Sequence, residues 1–140
     1  MPTTQQRIWL ATLILCAMLA VVISAAAVVS AQDKKTVADK VYSTAQADRG
    51  EARFKTSCSS CHTASSFSGG AFAERWSGQT LGQVFDFVSN VMPENDPGSL
   101  KAEEYVSVMA FILRTNGYPA GETDLPTDAA ALKNIAVDTK

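Results

Sequence analysis

The sequence predicts an all-α domain in which the first and last long helices cross. Three observations predict it. Stretches with apolar residues at helical spacing recur behind capping signals, and the two central ones are closed by Pro93 and by Asn116-Gly117. No segment alternates apolar and polar residues convincingly enough to read as a strand, and no repeat occurs. The length of 140 residues suits one domain.

Residues 1–31 read as an export signal. Arg7 closes a short positive region, Ile8 to Ile23 is uncharged and mostly apolar, and Val29-Ser30-Ala31 offers small residues for cleavage before Gln32. The alternative is a retained membrane anchor, since Ile8 to Val29 is long enough to span a bilayer. A lipid attached at Cys16 is disfavoured because Leu15 precedes it. Either way the expected location is outside the cytoplasm: the periplasm, with a membrane-anchored form facing it as the alternative. Residues 32–42, with Lys34, Lys35, Asp39 and Lys40, read as a solvated polar lead-in. The domain proper is expected over 43–140. Its first helix should open at Ser43, with Gln46 completing a capping box, and run to about Thr56. Gly50 inside it costs about 1 kcal/mol of helix propensity against Ala. That is reasonable where another helix crosses closely, with Phe54 one turn on as the core contact.

This helix delivers the chain to Cys58-Ser59-Ser60-Cys61-His62, the attachment signature of c-type haem. Each thiol can add to one porphyrin vinyl group, and the two-residue gap matches the reach between them. The next residue then lies under the iron, where neutral imidazole is a good axial ligand. Other chemistries fit less well. Structural zinc takes four ligands, usually Cys and His, and the chain has three Cys, one of them the distant Cys16, and one His. A redox dithiol of the thioredoxin kind needs a βαβ context. A plain disulfide is compatible with export but leaves His62 without a role.

From Thr63 to Gly78, Ser, Thr and Gly are interspersed with Phe67, Phe72 and Trp76, which reads as a loop over an apolar object. Trp76 and Arg75 are candidates to meet haem propionates through the indole N–H and the guanidinium; Trp76 reads equally as a core aromatic. Thr80 and Gln83 form a capping box for a helix to about Val91, with Leu81, Val84, Phe85 and Val88 on its buried face. Met92-Pro93 ends it. Ser99 is expected to cap a helix from Leu100 to about Thr115, stopped by Asn116-Gly117. Tyr105, Val108, Met109 and Ile112 form one stripe, and Val106, Phe111 and Leu113 widen it until little of the circumference is polar. Such a helix is buried between two objects, here the haem edge and the first helix at Gly50. Beyond Pro119 the tail reads as polar, with a short helix from Asp128 to about Ile135.

His62 is the only histidine, which eliminates bis-histidine ligation. Methionine is the usual alternative in an electron-transfer haem. Met1 and Met18 lie in the export segment, and Met109 sits mid-stripe, where Met is more often core filler. Met92, at a helix exit before proline, is the expected iron ligand opposite His62. The chain resembles the class I c-type cytochromes over most of 43–135, through Gly50, Phe54, the pentapeptide, Met92-Pro93 and Val108-Met109-Ala110-Phe111-Ile112. More closely, Trp76 to Leu81, Met92 to Tyr105 and Asn116 to Gly121 are similar to the cytochrome c domain of quinohaemoprotein alcohol dehydrogenases. One departure stands out. Many family members carry a proline soon after the ligating histidine, but none lies between His62 and Pro93, so another backbone carbonyl is expected to hold the imidazole N–H.

The resemblance implies one covalent haem c wrapped by a small cytochrome c-like domain, and transfer of one electron between a periplasmic dehydrogenase and a terminal acceptor such as an oxidase or another cytochrome. The alternative is a haem enzyme or gas sensor with a displaceable Met92. Its distal inventory is poor: Arg75, Glu94, Asp96 or a Tyr. Lys and Arg total 12 against 14 Asp and Glu. Residues 1–31 contribute only Arg7, so without them 11 bases face 14 acids, a balance that gives no support to nucleic-acid binding.

Overall fold

The computed structural model describes residues 34–138 together with Gln5; the expected export signal lies outside the described residues. Helix α1 spans Thr44–Ser57, α2 Gly70–Trp76, α3 Leu81–Val91, α4 Ala102–Thr115 and α5 Ala129–Leu132, with a 3-10 turn at Ala64–Phe67. Among the described residues the only paired strands are β1 (Lys35–Thr36) and β2 (Ile135–Ala136), parallel and two residues each. The fold is all-α, as expected, with this one small addition. Among the described residues no helix is long and apolar enough to cross a membrane.

The densest packing joins α1 to α4, and Gly50 is the reason the two can cross so closely. A Cβ there would lie 1.8 Å from the Ser107 carbonyl oxygen and 3.0 Å from Cβ of Phe111. Phe54, one turn on, is buried against the Phe111 ring at 5.4 Å. At the edge of the crossing Arg114 pairs with Asp48 and Glu51, at 2.5 and 2.7 Å, and Arg53 pairs with Glu104. Tyr105, Val106, Met109, Ala110 and Leu113 are buried, so α4 is apolar on more than one side because it serves two neighbours.

The caps follow the sequence in part. Ser43 Oγ accepts from the Gln46 N–H, but the Gln46 side chain does not complete the box. It is buried and donates to the Leu125 carbonyl at 3.1 Å, while its own oxygen accepts the Leu125 N–H at 2.7 Å. The Thr80–Gln83 box is complete. For α4, Lys101 rather than Ser99 occupies the cap position, because Glu104 reaches back to accept the Lys101 N–H at 2.9 Å.

The lead-in, expected to be solvated, and the tail, expected to be polar, are both built into the core. Val37, Val41 and Tyr42 of the lead-in are buried, as are Leu125, Leu132, Ile135 and Val137 of the tail. Their apolar residues are few, and each segment completes the other's hydrogen bonding. Lys35 N–H donates to Asn134 O at 3.0 Å and Val37 N–H to Ala136 O at 2.9 Å, and the Tyr42 hydroxyl donates to Tyr118 O at 2.6 Å. The tail then crosses to the start of α3, where Val137 N–H donates to Gln79 O at 2.8 Å. The stretch 63–78 also differs from expectation. Glycines and serines bracket Ala71 to Trp76, whose residues are good helix formers, so α2 appears where the flanks alone suggested a loop.

Candidate functional site

The end of α1 places the pentapeptide. Cys58 is the helix C-cap, its N–H donating to Phe54 O at 2.9 Å, and the His62 N–H continues the turn onto Cys58 O at 2.9 Å. The chain therefore makes one more tight turn beyond the helix, stiffened by Ser59 Oγ donating to Lys55 O at 2.6 Å. Cys58, Cys61 and His62 thereby come to one wall of a cavity of about 800 Å³.

Met92 arrives from another direction. It caps the C-terminus of α3, with its N–H on Val88 O, and it lines the same cavity. Between these two walls the lining is apolar: Phe54, Phe67, Phe72, Leu81, Val84 and Val88 on one side, and Val108, Met109 and Ile112 of α4 on another. Trp76 and Arg75 line it too. The Trp76 indole N–H makes no hydrogen bond among the described residues, and Arg75 has no carboxylate partner among them. The Arg75 guanidinium lies over the rings of Phe87 and Trp76, at 4.5 and 5.2 Å from their centroids. All six candidate residues from the sequence are thus brought to one cavity. Met109 is there as well, but it is 6 % exposed in the midst of α4, as a core residue would be.

The chemistry of the two thiols argues against the rival uses. Burial pushes the Cys58 thiol above the ordinary range, with nearby Arg53 pulling weakly the other way. A redox dithiol needs the opposite shift, commonly from a helix N-terminus, and Cys58 sits at a C-terminus. Both cysteines are free of disulfides. Among the described residues no group of three or more His, Cys, Asp or Glu is placed to hold a metal ion directly. A porphyrin resolves this shortage, because it supplies the equatorial nitrogens and asks the protein only for two thiols, axial donors and apolar walls. The residues present fit haem c.

Two contributions were not visible in the sequence. The His62 imidazole makes no hydrogen bond among the described residues, so the expected carbonyl partner is not found. Its neighbour is instead the Phe67 ring, with centroids 5.1 Å apart. Phe67 is held by Asn116, whose Nδ2 donates to Phe67 O at 2.8 Å while its Oδ1 accepts the Gly69 N–H at 2.9 Å. Asn116 followed by Gly117 reads as an ordinary helix stop, and nothing in the sequence marks its second role.

A helical shell around one apolar cavity, with the thiols and the imidazole presented by a single turn, is the arrangement that covalent attachment of haem c requires. Residues 45–112, just under half of the chain, match the family model for cytochrome c oxidase, cbb3-type, subunit III. That span takes in the pentapeptide, Met92 and most of α4. Comparison with curated proteins and with solved structures gives no match. The match supports covalently bound haem c and electron carriage in general.

Proposed function

We propose that this protein is a single-haem electron carrier working outside the cytoplasm, with His62 and Met92 as the axial ligands. The observation that carries the proposal is that Cys58, Cys61, His62 and Met92 line one apolar cavity although they come from two separate helix ends. Haem c, when bound, supplies a one-electron iron couple. The chain's own part is to hold, orient and keep dry. Cys58 and Cys61 anchor the group, and the turn from Cys58 to His62 fixes the imidazole relative to the thiols. Phe54, Phe67 and the α3 and α4 faces exclude water. Met92 would supply a soft thioether donor that favours the reduced state. Trp76 and Arg75, whose side-chain N–H groups make no hydrogen bond among the described residues, would be the partners for propionates.

The donor in this proposal is a periplasmic dehydrogenase, which follows from the similarity of Trp76 to Leu81 and Met92 to Tyr105 to the cytochrome domain of quinohaemoprotein alcohol dehydrogenases. The acceptor is a terminal oxidase or another cytochrome, in keeping with the name of the matched family. Export would follow from residues 1–31, and the mass of protein recovered from an exporting host should then correspond to a chain beginning at Gln32.

The test of ligation is the near-red spectrum of the ferric protein. A weak methionine-sulfur-to-iron band should be present in the native protein and absent from Met92→Ala. A high-spin native spectrum without the band would instead favour a haem enzyme or gas sensor. Carbon monoxide separates the same readings, since a carrier with both axial positions filled binds it slowly.

A further inference from the structure

The Tyr105 side chain sits on α4 with 3 % exposure, and its hydroxyl donates to the Met92 carbonyl at 2.7 Å. Its ring packs edge-on against Phe85 of α3, with centroids 6.1 Å apart. Met92 is therefore gripped through both of its backbone polar groups, the N–H by Val88 O of α3 and the C=O by Tyr105 of α4. Beyond Met92 the chain turns on local bonds only, Asp96 N–H to Pro93 O at 2.9 Å and Ser99 N–H to Asp96 O at 3.3 Å. Among the described residues, the Tyr105 hydroxyl makes the one hydrogen bond between the 92–99 segment and α4.

We propose that Tyr105 is a positioning residue that latches the Met92 segment onto α4 and so governs how readily Met92 leaves its place in the cavity. The inference deepens the reading of Met92 as an iron ligand and rests on it. Its physical basis is the asymmetry of buried hydrogen bonds. If Met92 swings away, the Tyr105 hydroxyl loses its partner inside a packed interface, and an unpaired buried donor is costly. The ring alone, held by Phe85, would not report on Met92; the hydroxyl does. Opening of the Met92 position and rupture of one identifiable bond become the same event.

Tyr105→Phe in the haem-loaded full chain removes the hydroxyl and keeps the ring. The net worth of a neutral hydrogen bond predicts a rise of about fivefold to tenfold in the population of the opened form. The ferrous variant should therefore bind carbon monoxide about fivefold to tenfold faster than native protein. Amide exchange over residues 92–99 should accelerate by a similar factor, while the interior of α1 is unchanged. The near-red methionine band should be present in both proteins, because the latch sets how often the Met92 position opens and not the identity of the ligand. A merely structural role would move exchange in α1 and α4 together with 92–99, or leave carbon monoxide binding unaltered, and either result overturns the proposal. Phe85→Leu is the control, since it disturbs the ring's packing and spares the hydroxyl. If it reproduces the selective acceleration, packing holds the segment and the latch is wrong. Should native protein lack the methionine band, the ligation reading fails by itself. The latch is then judged by exchange, supported if Tyr105→Phe selectively frees 92–99 and overturned if it does not.

Discussion

Gly50 shows how one missing side chain fixes an interface. In an isolated helix Gly50→Ala would gain about 1 kcal/mol of propensity. In this protein the new methyl would lie 1.8 Å from a backbone oxygen of α4, and backbone cannot swing aside as a flexible side chain can. Overpacking of this kind costs about 1–3 kcal/mol, so the variant should be less stable than native by denaturant titration. A more stable variant would mean that the helices do not cross there. The glycine was legible in the sequence because its cost needed a reason. Asn116 was not, because its position after α4 already had one. Its amide carries the 67–69 turn, and through Phe67 it bears on His62. Asn116→Ala removes the bonds to Phe67 O and Gly69 N–H at once. We expect a loss of about 1–3 kcal/mol of stability and a shifted imidazole signal in the paramagnetic proton spectrum of the ferric protein. An unchanged imidazole signal would separate Asn116 from the haem.

At the scale of elements, the α1–α4 pair is joined to the tail by groups that sequence periodicity cannot see. Apolar spacing marks which face of α1 is buried, but Gln46 reads as a capping residue because it is polar and sits three positions after Ser43. Its burial against Leu125 is a long-range fact, set by a segment 79 residues away. Gln46→Leu should keep the volume filled and leave the Leu125 N–H and C=O unpaired, at a cost of about 1–3 kcal/mol each. The exposed side of the same pair makes a pH-dependent contribution. Lys55, hydrogen-bonded to Glu51 and adding its charge, and then Arg114 hold the Glu51 carboxyl below its ordinary value of 4.5. A carboxyl whose pKa is depressed on folding binds fewer protons in the folded state than in the unfolded one. Its contribution is fully present above the ordinary carboxylate range and is lost as pH falls through the lowered value. Glu51→Gln should therefore flatten the decline of stability below about pH 4.5 and leave the slope near neutrality alone. An identical acid limb in both proteins would show that the pairs with Lys55 and Arg114 are screened by solvent.

Taken whole, the molecule is two structures sharing α4. One face of that helix closes on α1 at Gly50; the other, through Val108, Met109 and Ile112, is a wall of the cavity. The sequence anticipated this division because α4 is apolar on too many sides for a single partner. It did not anticipate that residues 34–42 and 118–138 would knit beneath the same core, since short segments with two or three apolar residues carry no periodicity. The division predicts what loss of haem does. An apolar hollow of about 800 Å³ leaves its walls without packing partners when nothing fills it. The walls must therefore collapse or separate when Cys58→Ser and Cys61→Ser together prevent attachment. They should not all yield alike. The segments 63–76 and 92–99 border the cavity and are tied to α4 by few hydrogen bonds, from Asn116 to Phe67 O and Gly69 N–H and from Tyr105 to Met92 O, whereas the α1–α4 crossing keeps its glycine contact and its ion pairs. Hydrogen exchange on the double variant should show 63–76 and 92–99 at nearly unprotected rates, with the slowest surviving amides in α1 and α4 and much of the far-ultraviolet helical signal retained. Uniform loss of protection would mean that the crossing itself depends on the haem, and that the two structures are one.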